Sequence, residues 1–264
     1  MSARMRALLY AVLALLIGAL AYWLGVGSFF GQQAEASLLD ASDFTTHPPA
    51  PLSLVSTATV LIALGVIGLI TIWSHGVWRA LMTVCAGAVA IVTSQLLKRS
   101  WLERPELFEF DAPNTFPSGH MTVFSVVAVG TIWAVRRGSR GLVTVLAAVM
   151  LSVVSWQLLE YGWHRPSDLI GSQALVVLVF AIAAAVGPRR SKRAGQEQSK
   201  ALMMLNRATG VLLVIFGAAA ILVGVVLVAA ASSVQSAELM LKAGEILLVG
   251  VSVLSARTFA ALSP

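Results

Sequence analysis

A chain of 264 residues that is 58% hydrophobic and only 11% charged lies outside the composition of ordinary water-soluble domains. Its net charge of +6 is carried in short segments beside long apolar runs; this is the distribution of membrane topology rather than of a nucleic-acid-binding surface, so no nucleic-acid partner is expected. The single cysteine, Cys85, excludes an intramolecular disulfide.

Apolar runs long enough to cross a bilayer occur at 7–29, 52–73, 77–97, 121–135, 142–159, 169–186, 209–231 and 239–262. Inside the bilayer every backbone polar group needs an internal partner, and period-2 alternation is absent, so the runs are read as eight helices. The predicted fold is all-α, a polytopic membrane helix bundle. The first run could pass for a signal peptide followed by Ala34-Glu35-Ala36, but it is too long and that site too distant, so it is read as a retained span.

The loop at 30–51 has no lysine or arginine, whereas Arg4, Arg6, Arg79, Arg136, Arg137, Arg140, Arg189, Arg190, Lys192, Arg193, Lys200 and Arg207 fall on one side of the eight-span arrangement. Glu35, Asp40, Asp43, Glu103, Glu106, Glu109, Asp111, Glu160, Asp168 and Glu238 fall on the other. The positive-inside rule then puts both termini in the cytoplasm. Arginine outnumbers lysine and alanine and valine abound, which points to a bacterial cytoplasmic membrane. The polar, basic segment 188–207 reads as a cytoplasmic linker between a six-span core at 1–187 and a C-terminal hairpin at 208–264. Gly217, Ala220, Gly224, Ser252 and Ala256 give that hairpin small-residue faces suited to packing, to a homo-oligomer or to a membrane-protein partner.

Chemistry concentrates in the six-span core. Pro117-Ser118-Gly119-His120 opens the fourth span and His164-Arg165-Pro166-Ser167-Asp168 opens the sixth. Ser118 is suited to cap a helix, leaving first-turn amides and a close backbone approach at Gly119 for phosphoryl oxygens. His120 is placed as a general acid for a leaving oxygen. If 164–168 is helical, His164 and Asp168 share one face, so the carboxylate can hold one ring nitrogen while the other attacks phosphorus. Lys98, Arg99, Arg104 and Arg165 are basic residues on the otherwise acidic side, as a phosphate site there requires.

Pro117–His120 and His164 with Asp168, preceded by Lys98 and by Arg104-Pro105, resemble the three-part signature of the type 2 phosphatidic acid phosphatase superfamily. The resemblance covers roughly residues 98–168. It implies integral membrane enzymes that hydrolyse lipid phosphates and diphosphates without a metal, with His164 as nucleophile, Asp168 as its partner and His120 as acid. Lys98, Arg104, Ser118 and Gly119 would bind phosphate. The chain departs from the family at two places: the gap between Lys98 and Arg104 is one residue short, and Leu158 stands where an arginine is usual. Arg165 or Arg99 is then the candidate to supply the missing charge.

The sequence thus predicts a six-helix phosphatase core plus a two-helix hairpin, acting on a lipid phosphate such as a polyprenyl diphosphate, phosphatidylglycerol phosphate or phosphatidic acid at the extracytoplasmic face. A phosphotransferase with the same intermediate and a non-catalytic lipid-phosphate scaffold are the alternatives. There is no zinc-type Cys/His cluster and no Gly-rich nucleotide loop, so no metal or cofactor is expected.

Overall fold

The structure, a computed structural model, describes residues 2–108, 110, 112–187 and 200–263. Glu109, Asp111, Arg189, Arg190, Lys192 and Arg193 therefore lie outside the described residues. The described chain is helical without strands: α1 (Ala3–Ala21), continued by a π-type turn (Tyr22–Val26), α2 (Phe29–Leu39), α3 (Thr57–His75), α4 (Val77–Leu96), continued by a second π-type turn (Leu97–Trp101), α5 (Gly119–Ala134), α6 (Arg140–Glu160), α7 (Pro166–Val186), α8 (Lys200–Val234) and α9 (Ala237–Leu262). Among the described residues, seven helices are long and apolar enough to cross a membrane, and α5 is a shorter apolar helix. The chain is thus a multi-pass membrane protein.

Two boundaries differ from the sequence expectation. The loop expected at 30–51 contains α2, an 11-residue helix capped by Ser28, whose side chain accepts from the Gly31 amide. The linker expected to reach 207 ends earlier, because α8 already begins at Lys200. Lys200-Ala-Leu-Met-Met-Leu is a run of strong helix formers, and that propensity carries the helix beyond its most apolar stretch.

α5 is the central helix. Met121, Val126, Val129, Ile132 and Trp133 are fully or almost fully buried, and the Trp133 indole donates to the Phe259 carbonyl in α9 at 3.1 Å. α1 lies antiparallel to α7 through small residues: Ala7, Ala11 and Ala14 are buried, and a Cβ on Gly25 would come within 2.4 Å of Ser167 Cβ. α3 turns into α4 at Gly76, whose φ of 91° suits glycine.

α9 is packed into the core helices, with α8 against it. Ser155 of α6 and Ser252 of α9 share a hydrogen bond of 2.9 Å, and Gln173 of α7 donates to the Ser252 hydroxyl at 3.3 Å. At one rim Lys242 bridges Glu160 and Glu245 at 3.0 and 3.1 Å. α8 meets α9 through glycines: a Cβ on Gly224 would lie 2.7 Å from Leu247 Cβ, and one on Gly217 would lie 2.8 Å from Leu254 Cγ.

This seam generates a prediction. Gly224→Leu must force α8 from α9 or displace Leu247, so detergent-solubilised protein should lose about 1–3 kcal/mol of stability, the usual cost of overpacking. Gly65→Ala, where an added Cβ meets nothing within 4 Å, should melt like the wild type.

Candidate active site

The turn between α6 and α7 builds the first half of the site. α6 ends where Gly162 adopts a φ of 66°, a left-handed conformation that closes the helix. The next two amides, of Trp163 and His164, both donate to the Leu158 carbonyl at 3.1 Å, which curls His164 back over the helix end. α7 then starts with Pro166 in its first turn and Asp168 three residues after the cap.

Asp168 does the positioning. Its fully buried carboxylate reaches back with Oδ2, accepting from the Arg165 amide at 3.1 Å, from the Thr115 hydroxyl at 2.7 Å and from His164 Nδ1 at 3.1 Å. The sequence expectation put His164 and Asp168 on one helical face. In the structure His164 precedes α7, and the pair forms because the capping carboxylate folds back onto the residues before the helix. Capping and histidine orientation are one interaction here. A carboxylate oxygen can only accept, so Nδ1 carries the proton and Nε2 keeps a free lone pair.

α5 supplies the second half. Ser118 is its N-cap: the buried hydroxyl accepts from the Met121 amide at 3.3 Å, while the Ser118 amide donates to the Asp168 carbonyl at 3.2 Å. That backbone bond ties the starts of α5 and α7 together. Phe116 lies against Gly171, where a Cβ would come within 2.3 Å of its ring, so the glycine fixes how closely this segment approaches α7.

A groove of ≈ 1030 Å³ runs from this junction along the bundle. His164, His120, Gly119, Lys98 and Thr115 line its polar head, and Val60, Leu61, Leu64, Ile91 and Val92 of α3 and α4 line its apolar length. The His120 and Trp163 rings meet edge to face, with centroids 5.5 Å apart.

The other expected phosphate ligands are not among the residues that line the groove. Ser118 is buried as a cap and does not line the groove, and neither do Arg99 and Arg104. Arg99 is exposed on the turn after α4, and Arg104 is half-buried in the loop that follows. Arg165 is buried behind the site, its Nη1 donating to the Thr115 hydroxyl at 3.3 Å. Leu158 is fully buried in the hydrophobic core.

Several residues that position the site were not picked out from sequence. Gln32 of α2 is fully buried: its Nε2 donates to the Val26 and Pro105 carbonyls at 2.8 and 2.7 Å, and its Oε1 accepts from the Phe108 amide at 3.0 Å. It fastens the Arg104-Pro105 loop over the bundle end. Three residues on, Glu35 accepts from the Ser167 amide at 2.8 Å and from its hydroxyl at 3.1 Å, which holds the start of α7 from outside. The signal was faint: Gln32, Glu35 and Leu38 recur every third residue after a serine cap, a short helix with one buried face.

No family model, curated protein or solved structure matches this chain.

Glu35 makes the site region sensitive to pH. Burial, reinforced by the nearby Asp168 charge and opposed by the Ser167 hydrogen bonds and Arg165, raises its pKa from 4.5 to about 7. The folded protein therefore holds this proton more tightly than the unfolded chain does. Its stabilising effect, on the order of 3 kcal/mol, is complete below pH 4.5 and is lost as pH rises to about 7. Melting profiles of wild type and Glu35→Gln across that range should differ in slope, the wild type losing stability relative to the variant as pH rises. Parallel profiles would mean that Glu35 keeps an ordinary carboxylate pKa.

Proposed function

We propose that this protein is a membrane lipid phosphatase that hydrolyses a lipid phosphate or diphosphate through a phosphohistidine at His164, as its resemblance to the type 2 phosphatidic acid phosphatases implies. The observation that carries the reading is a histidine held by a buried carboxylate, sharing with a second histidine the polar head of a groove that also has an apolar wall on α3 and α4. A phosphorylated headgroup suits the head, and an acyl or prenyl chain suits the wall of α3 and α4.

In the first step His164 Nε2 attacks phosphorus and forms the N–P bond while the P–O bond to the lipid breaks. His120 donates a proton to the departing oxygen. In the second step water attacks phosphorus, His120 takes the water proton, the N–P bond breaks and inorganic phosphate leaves. Asp168 keeps the proton on Nδ1 throughout and stabilises the imidazolium that develops, as the carboxylate of a catalytic triad does.

Charge on the transferring phosphoryl group has two sources of support. Lys98 lines the groove, and α5 begins at its head with Gly119 and His120, where the helix dipole favours anions. Lys98 and the α5 start stand in for the charge that Leu158 lacks, whereas Arg165 acts through Thr115. The substrate class, polyprenyl diphosphate, phosphatidylglycerol phosphate or phosphatidic acid, fits a site on the extracytoplasmic face of a bacterial cytoplasmic membrane, the side that the positive-inside rule assigns to it.

Purified protein should release phosphate from at least one of these lipids in the presence of EDTA. His164→Ala should abolish release, and His120→Ala should slow it by about 10²- to 10⁴-fold, the usual contribution of a general acid. An acid-labile phosphoprotein should accumulate in His120→Ala and be absent from His164→Ala. Transfer that needs an added alcohol acceptor would assign a phosphotransferase, and binding without turnover would assign a scaffold. Activity lost in EDTA and restored by a divalent ion would replace the mechanism with a metal-dependent one.

A further inference from the structure

A second polar cavity, of ≈ 290 Å³, lies at the opposite end of the bundle from His164. It is lined by the α5–α6 turn, the start of α6, residues 206–213 of α8 and the last turns of α9. Its polar lining is Arg137, Arg140, Arg257, Asn206, Thr144 and Thr209. All three charges are positive.

The cavity is built rather than incidental. Asn206 of α8 staples it shut on one side, its Oδ1 accepting from the Gly141 amide at 3.1 Å and its Nδ2 donating to the Arg137 carbonyl at 3.0 Å. Gly141 is required for that contact, since a Cβ there would lie 2.3 Å from Asn206 Oδ1. On the other side Arg257 is fixed by Nε donating to the Gly210 carbonyl at 3.3 Å, and a Cβ on Gly210 would come within 2.8 Å of that nitrogen.

Arg140 is what calls for a ligand. Its Nε and Nη2 are buried, and among the described residues neither has a hydrogen-bond partner. A topogenic arginine turns its head to water or lipid headgroups. One with buried guanidinium nitrogens carries a desolvation cost that an anion would offset. Among the described residues the ion pairs are His164–Asp168 and those of Lys242 with Glu160 and Glu245, all at the other end.

We propose that Arg137, Arg140 and Arg257, with Asn206, Thr144 and Thr209, form a binding site for a phosphate group at the end of the bundle opposite His164. Guanidinium forks match phosphate oxygens in pairs, and the two threonine hydroxyls add neutral donors. The cavity opens at a bundle end, where the phosphate of an anionic phospholipid headgroup lies, and a basic pocket between membrane helices suits such a headgroup. Free phosphate shares the chemistry. The site is independent of the proposed reaction and far from its residues.

Native mass spectrometry and thermal melting of the full chain in neutral detergent test the site with three probes: phosphatidylglycerol, phosphatidylcholine and inorganic phosphate. Wild type should retain and be stabilised by phosphatidylglycerol in preference to phosphatidylcholine, and Arg140→Gln should weaken this by about tenfold or more, the scale of one lost charge-assisted pair. Arg257→Lys, which keeps the charge but loses the fork, carries the test if Arg140→Gln does not fold. Lys242→Gln at the opposite end should bind like wild type. Protection by inorganic phosphate with the same arginine dependence would support the site and assign it to a soluble phosphate. Retention of phosphatidylglycerol unchanged in both arginine variants, or no preference for any phosphate probe in wild type, would overturn the proposal.

Discussion

The arrangement of the candidate active site depends on one carboxylate oxygen. Asp168 Oδ2 caps α7 through the Arg165 amide, anchors the segment before α5 through Thr115 and sets the tautomer of His164. A fully buried carboxylate is tolerable only with such partners, and each partner is held in place by the need to satisfy it. Local helix capping and the long-range geometry of the candidate site are thereby made the same requirement.

Around that oxygen the bundle is organised to bring helix starts together. α5 and α7 begin at the same point, joined by the Ser118 amide on the Asp168 carbonyl, and Gly171 and Gly25 let neighbouring segments close in on α7. The positive end of α7 is met there by the carboxylates of Asp168 and Glu35.

The parts that were legible in the sequence are those with local causes. Apolar runs showed the spans, and Pro117–His120 showed a cap, because hydrophobicity and capping act within a few residues. The partnership of His164 and Asp168 was visible, but its geometry was not, since α7 starts two residues after His164 and the carboxylate folds backward. The role of α2 was hidden for a different reason. Glu35 meets Ser167 across 132 positions of sequence and Gln32 meets Phe108 across 76, and spacing within α2 does not encode either partner. Arg165 had the right charge, but its burial and its bond to Thr115 are long-range facts that local spacing does not carry.

The packing of α9 has a consequence for how the protein is made. Gln173 and Ser155 lie in helices synthesised well before the residue that satisfies them, Ser252, which follows Gln173 by 79 positions. At ordinary translation speeds of about 5–20 residues per second that interval is roughly 4 to 16 s. During it the Trp133 indole also lacks the Phe259 carbonyl. Until α9 is present, the earlier helices therefore hold polar groups whose α9 partners are still to come.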